Sequence, residues 1–313
     1  RSIGAATTLE ALASQRAGRL TAEETSQQGD DSESFNEATR TGESIARIDL
    51  THRRSDKLSL SAGIEGAFNV LESEARLQEN GAPVFLPGSD VRIEERRVEG
   101  SVGATWTPVE AVILEAGLRV EGSTITQTGD SPLERDFTYA KPRVALTWDV
   151  DGQNQVRLAA SREVGQLDFA EFVASASLST GVVAVGNAAL EPDKSWRFSA
   201  AWERSFWDDA SLTLTWTHDE IRDVVDRVLI VTPDDVFDAP GNIGDGRRDT
   251  LAVDLNTPLD RLGIKGGQLR TTLLWRTSRV TDPVTGEERG ISEEKPVEGE
   301  AAFTQALPQW HMN

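Results

Sequence analysis

The 313-residue chain contains no cysteine. Disulfide frameworks, thiolate metal sites and cysteine nucleophiles are therefore excluded. No run of about 18 apolar residues occurs, so no helix is expected to span a bilayer. Barrel strands stay open as an option, because each needs only about 9–11 alternating residues. Basic charge is scarce: 32 Lys and Arg stand against 52 Asp and Glu, a formal net charge of -20. This disfavours a nucleic-acid partner, which needs a positive stripe. Catalytic signatures are missing too, with no Gly-x-Ser-x-Gly, phosphate-cradling loop or Rossmann fingerprint. The histidines, His52, His218 and His311, are too scattered for a zinc spacing. An enzyme is not expected, and no cofactor or metal site is assigned. Residues 149–154, Asp-Val-Asp-Gly-Gln-Asn, begin like a calcium loop but lack its terminal bidentate Glu, and read as a tight turn. Asp234, Asp235 and Asp238 read as solvated loop charge. The chain opens without the basic start and apolar run of a signal peptide.

What the chain does have is strict alternation. In residues 98–122, Val98, Gly100, Val102, Ala104 and Trp106 share one face, opposite Glu99, Ser101, Gly103 and Thr105. After a break at 107–109, Val112, Leu114, Ala116, Leu118 and Val120 alternate with Glu115, Gly117, Arg119 and Glu121. A period of two means strands. It recurs from Leu58 to Val70, at Val144–Trp148, Val156–Ala160, Trp196–Trp202, Leu212–Trp216, Leu251–Leu255 and Leu269–Trp275. With vaguer segments near 11–20, 46–52 and 298–306, about twelve strands are expected, and the fold class is all-β, an antiparallel meander.

The connections alternate between two classes. Short ones are expected at 53–56, 107–109, 149–154 and 207–210. Long ones are expected at 25–42, 71–91, 123–136, 163–194, 231–247 and 281–296, with 256–266 intermediate. Six long loops are uncommon in a soluble domain. Short turns on one rim and long loops on the other belong to an outer-membrane barrel. Trp106, Trp148, Phe206 and Trp207 stand beside short turns, where amphipathic rings form a girdle. The single Tyr is at odds with such girdles, which are usually rich in it. Glu99, Glu115, Arg119, Glu121, Arg157, Arg197, Glu203, Arg270 and Arg276 all point away from the apolar face, as lumen charges would. The competing reading is the solvated outer face of a soluble sandwich.

The stretch "GNAALEPDKSWRFSAAWERSFWDDASLTLTWTHDEIRDVV", from Gly186, resembles the barrel of the TonB-dependent outer-membrane receptors. Gly186, Asn187, Leu190 and Pro192 match that family's loop motif; Ala188 stands where Pro is usual and Asp193 where Glu is usual. Ile221, Asp223 and Val225 fit the strand end that follows. Upstream, Pro142-Arg143, the strand-turn-strand they open and the apolar-acidic loop segment that ends at Phe172 fit the same order, as do Asn242 and Gly246 downstream. The resemblance runs from about Ile45 onward. It implies a barrel of 22 strands around an N-terminal plug, which the TonB energy-coupling protein engages. Residues 1–313 are accordingly expected to form a partial barrel, about 12 of 22 strands and open, with the plug absent.

The function implied is energy-coupled uptake, across the outer membrane of a Gram-negative bacterium, of a scarce bulky ligand: a siderophore, cobalamin or an oligosaccharide. Expected partners are outer-membrane lipid, TonB through the plug, and that ligand. In the long segment 163–194, Leu167, Asp168, Phe169 and Phe172 are candidate ligand contacts, because apolar residues there either pack locally or meet a ligand. The alternative is a secreted or surface β-rich protein that binds a glycan or another protein.

Overall fold

Alternating side chains pair strand with strand when both backbones can complete their ladders and one face finds an apolar medium. In the computed structural model, which describes residues 6–130, 132–177, 182–207, 209–231 and 236–306, twelve strands do this in unbroken succession. They are β1 (Thr7–Gln28), β2 (Asp31–Ser55), β3 (Leu58–Glu79), β4 (Asp90–Val109), β5 (Val112–Gly129) and β6 (Leu133–Asp149). Then follow β7 (Asn154–Val164), β8 (Lys194–Phe206), β9 (Ala210–Arg222), β10 (Gly246–Pro258), β11 (Gly267–Thr281) and β12 (Val297–Gln305). Each pairs antiparallel with its sequence neighbours. Two short strands, Ala82–Val84 on β3 and Glu288–Arg289 on β11, complete a 14-stranded sheet. Among the described residues β1 pairs only with β2 and β12 only with β11, so the sheet is open. Asp234, Asp235 and His311 lie outside the described residues.

The register aligns the apolar positions. Leu60, Ala104, Ala116, Val144 and Ala160 stand abreast across β3 to β7. This face is not a dry core: Leu60 is 41%, Val144 56% and Leu158 45% exposed, and Leu114 and Leu214 are half-buried. A sandwich would bury all five between two sheets. On β4 the apolar run from Trp106 up to Val98 matches the roughly 9–11 residues that a barrel strand needs to cross a bilayer. Trp106, Trp148 and Trp207 line its short-turn edge, all exposed. No helix among the described residues is long and apolar enough to cross a membrane, which says nothing of strands.

Three of the expected long loops are not loops. Residues 25–42 are mostly the β1–β2 hairpin, joined at Gly29 and Asp30. Most of 71–91 and 123–136 likewise continues β3, β4, β5 and β6. The physical reason is an inversion of polarity. Beyond Val70 the outward residues of β3 become Glu72, Glu74 and Arg76, while Leu71, Ala75 and Leu77 on the other face are buried. On β4, Arg96, Glu94 and Arg92 turn outward and Ile93 and Val91 are buried. Past this apolar belt the charged side chains are outward and the apolar ones are covered by protein, so each face changes character while the strand goes on.

Candidate functional site

The loops that remain long come from the other half of the sheet. Residues 165–193 and 223–245 leave β7 and β9, and parts of them form a second, four-stranded sheet in the order Val225–Val231, Val236–Asn242, Val182–Ala184, Ser175–Ser177. This small sheet and a short helix, Phe169–Phe172, pack on the upper polar-side surface of β2 to β5. One cluster joins Phe35, Ala75, Leu77 and Leu86 of the wall side to Ala174, Val185, Phe237 and Ala239 of the loops. Another joins Leu71, Val91, Ile93 and Ile125 to Phe172, Val173 and Leu190. The two larger buried apolar clusters thus form the joint between wall and loops; a smaller one, of Ile221, Val224 and Val280, lies apart from it.

Backbone contacts fix the joint. Ala174 N–H donates to Gly88 O at 2.9 Å and Gly186 N–H to Pro87 O at 3.2 Å. A Cβ on Gly186 would stand 2.0 Å from Phe172 O, so only glycine fits. Asn187 accepts from Ala189 N–H at 2.9 Å and donates to Pro240 O at 2.8 Å, tying the two loops together. Leu190 is 1% exposed and Pro192 is buried. Asn242 holds the Glu191 backbone from both sides, accepting from its N–H at 2.8 Å and donating to its carbonyl at 2.9 Å. The four motif residues therefore build the platform.

The candidate contact residues lie at the platform's edge. Asp168 caps the short helix, accepting from Ala170 N–H at 2.9 Å. Phe172 is buried in the joint, with Phe169 and Leu167 packed against it. Leu167, Asp168 and Phe169 also line a cavity of about 530 Å³ with Arg16, Glu43, Asn69, Leu71 and Glu95. A second cavity of about 340 Å³ lies beneath residues 165–167, lined by Arg97, Arg119, Glu121, Phe137, Tyr139 and Lys141. Burial raises the Glu171 carboxyl above its ordinary range, with Asp168 adding to the effect, and burial raises Asp193 likewise. The resemblance marks Asn242 without giving it a role, and the sequence gives no role to Asn69 or Glu95, whose signal is polar identity at inward strand positions.

Among the charged residues assigned to the polar face, most are cross-linked. Glu99 meets Arg119 at 3.7 Å and also Lys141, which reaches Glu121 at 2.8 Å. Arg157 meets Glu203 at 2.8 Å, and Arg276 meets Glu298 at 3.2 Å. Arg197 bridges Asp219 at 2.7 Å and Glu163 at 3.0 Å. Glu115 and Arg270 are exposed on the same surface. Asp151 of the 149–154 turn caps Gln153 and Asn154 at 3.0 and 2.8 Å, and Asp238 pairs with Arg227 at 3.1 Å. Among the described residues no cluster of three or more His, Cys, Asp or Glu could hold a metal ion.

A family model described as "TonB dependent receptor-like, beta-barrel" matches residues 6–292. No curated protein sequence matches. Among solved structures, the pyoverdine outer membrane receptor FpvA of Pseudomonas aeruginosa, bound to pyoverdine, is 13% identical, with a TM-score of 0.69 over 96% of this chain and 46% of that one. The siderophore receptor PiuA of Acinetobacter baumannii is 10% identical, with a TM-score of 0.67 over 98% and 51%. The ferric yersiniabactin uptake receptor FyuA of Yersinia pestis is 8% identical, with a TM-score of 0.65 over 96% and 45%. At such identities the likeness is one of fold. The chain spans about half the length of each of these structures.

Proposed function

Because the chain belongs to the TonB-dependent receptor family, whose β-barrel it matches, we propose that it forms the wall and mouth of an outer-membrane receptor for energy-coupled uptake of a scarce, bulky ligand. The family and its structural neighbours are receptors and transporters, not enzymes. TonB-dependent receptors are outer-membrane proteins of Gram-negative bacteria, and this chain's proposed place is that membrane. Its belt meets lipid there, and the energy-coupling partner is TonB.

The observation that carries the reading is the platform. Two long loops fold inward, lock to the opposite wall and leave cavities lined by aromatic, acidic and amide side chains. A concave, mixed polar and apolar surface is what captures a large ligand. Solved neighbours bind ferric pyoverdine and take up ferric yersiniabactin, which favours a siderophore over cobalamin or an oligosaccharide. The charged layer of Glu99, Glu115, Arg119, Glu121, Arg157, Arg197, Glu203, Arg270 and Arg276 is proposed to line a hydrated lumen. Leu167, Asp168, Phe169 and Phe172 are proposed to shape the ligand's approach, the first three by contact and Phe172 by holding the helix in place. Deleting residues 166–174 should abolish uptake of a supplied siderophore panel in cells while the protein still inserts in the outer membrane. Undiminished uptake of every ligand would overturn the reading.

A further inference from the structure

On the apolar outer face, a groove of about 610 Å³ crosses β4 to β7. Ala104, Ala116 and Ala160 give it a low floor among larger neighbours. Glu115 also borders it, though its side chain belongs to the opposite face. The register sets Leu58, Trp106, Leu114, Leu146 and Leu158 abreast along the groove. This row climbs: Leu58 is the first residue of β3, whereas Leu158 stands well inside β7. With strands about 4.8 Å apart, the groove runs roughly 14 Å from the short-turn edge up into the belt.

At the low end of the row stands a cationic turn. Residues 53–57 set Arg53, Arg54 and Lys57 against a single acid, Asp56, and all are exposed. Lys57 Nζ donates to Pro108 O at 2.8 Å, which fixes the ammonium beside the turn that follows Trp106. Among the described residues none of these three cations has a carboxylate within 4 Å. Arg53 sits across from Ser59, on the polar face, which leaves Arg54 and Lys57 to the outer side. The neighbouring short turns are acidic, with Glu110, Asp149, Asp151 and Asp209. A chain of net charge -20 thus leaves unpaired cations at one point of its short-turn rim. Trp106, 49% exposed, lies between them and the groove, at the height where an indole meets headgroups. In a bilayer any acyl chain can cover an apolar groove, since lipid tails are as apolar as leucine. The headgroup is what charge selects, and unpaired Lys and Arg at the interface favour an anionic one.

We propose that this site holds one anionic glycerophospholipid of the leaflet on the short-turn side. Its phosphate meets Arg54 and Lys57, and one acyl chain lies in the groove. The inference rests on the membrane reading of the belt and goes beyond it to a single selective site. The protein, extracted in a non-ionic detergent, is titrated with dioleoylphosphatidylglycerol or dioleoylphosphatidylcholine and read by native mass spectrometry. One phosphatidylglycerol should be retained per chain, at least fivefold more tightly than phosphatidylcholine. Replacing both cations, Arg54→Gln with Lys57→Gln, should bring phosphatidylglycerol to the phosphatidylcholine level. Ala116→Leu should weaken both lipids severalfold by filling the floor. Ala62→Leu, on the same face outside the groove, should change neither. Equal retention of the two lipids by the parent, a preference kept without the two cations, parent-like binding by Ala116→Leu, or paired chains in place of lipid would each overturn the inference. A protein that inserts in the outer membrane yet shows no such preference would leave the membrane reading standing and remove this one.

Discussion

The two halves of the sheet spend their residues differently. Strands β1 to β5 run 22, 25, 22, 20 and 18 residues, with tight or short connections above them. Strands β7 to β10 run only 11, 13, 13 and 13, and carry the long segments 165–193 and 223–245. One half builds a tall wall; the other sends its chain inward to lean on that wall. Neither is sufficient alone. The tall half would expose Leu71, Leu77 and Ile93 on its inner upper surface, and the loops would have no core. Shape at the mouth comes from this asymmetry.

The sharpest way to break the comparison is at the joint. Ile93 is fully buried between wall and loops. Truncation to Ala should cost about 2–5 kcal/mol, by lost transfer energy plus a cavity. The loss should fall on docking of residues 165–193, read as faster amide exchange there with β7 to β11 unchanged. Equal loosening of the whole sheet would mean that the halves are not separable in this way.

Next in size is the belt, which the halves share. Leu118 of the tall half and Leu214 of the short half should each tolerate Arg poorly, at about 2–4 kcal/mol of barrel stability near mid-bilayer. Gly117, on the other face, has room for a side chain: an added Cβ would lie 3.6 Å from Val102 O. Gly117→Ser should therefore cost much less. Refolding titrations in lipid decide it, and equal costs at 117 and 118 would contradict the lipid-facing assignment.

Asn242→Ala removes three side-chain hydrogen bonds, to Glu191 N–H, Glu191 O and Asp223 O. About 1–3 kcal/mol is expected, confined to the loops. Limited proteolysis should then cut within 165–193 while sparing the β1–β2 hairpin.

The smallest effect separates two loops by pH. In the 282–296 segment, the Arg289 guanidinium and the Thr285 and Val284 N–H groups hold the Asp282 carboxyl down to about 2. A carboxyl held low stabilises above its unfolded value and loses that contribution as pH falls toward about 2. Glu171 and Asp193 in the 165–193 segment are raised by burial, so their ionised forms oppose docking and acid relieves them. Acidification from about pH 6 to 4 should slow intrinsic-rate-corrected exchange in 165–193 and leave 282–296 unchanged. Below about pH 3 the second segment should open. The same response in both would remove the distinction.

How far the sequence could be read follows from where water stands. Inside the belt, Val112, Leu114, Ala116, Leu118 and Val120 keep one face apolar, and alternation alone located the strand, its partner and its outward side. Above the belt, Glu72, Glu74 and Arg76 alternate with Ser73, Ala75 and Leu77, and the outward face is charged. That composition resembles a loop, so strands were foreshortened there. The site was legible only in part. Gly186, Asn187, Leu190 and Pro192 stood out as a motif, yet their work is to hold two loops together. Asn69 and Glu95 carry no local pattern, because what pairs them is a register between strands, across a sequence separation of 26.

The height of the tall wall has an electrical consequence. From Val70, where the apolar run of β3 ends, to Glu79 at its tip, about 3.4 Å per residue at a tilt near 40° lifts the rim by roughly 23 Å. The Debye length in physiological salt is about 8 Å. The headgroups take up about 5–7 Å of that height, so the rim stands roughly two such lengths above their charge and is largely screened from it. An arriving solute at the rim therefore feels the protein's own field, and its capture should depend little on how many phosphates the surrounding leaflet carries.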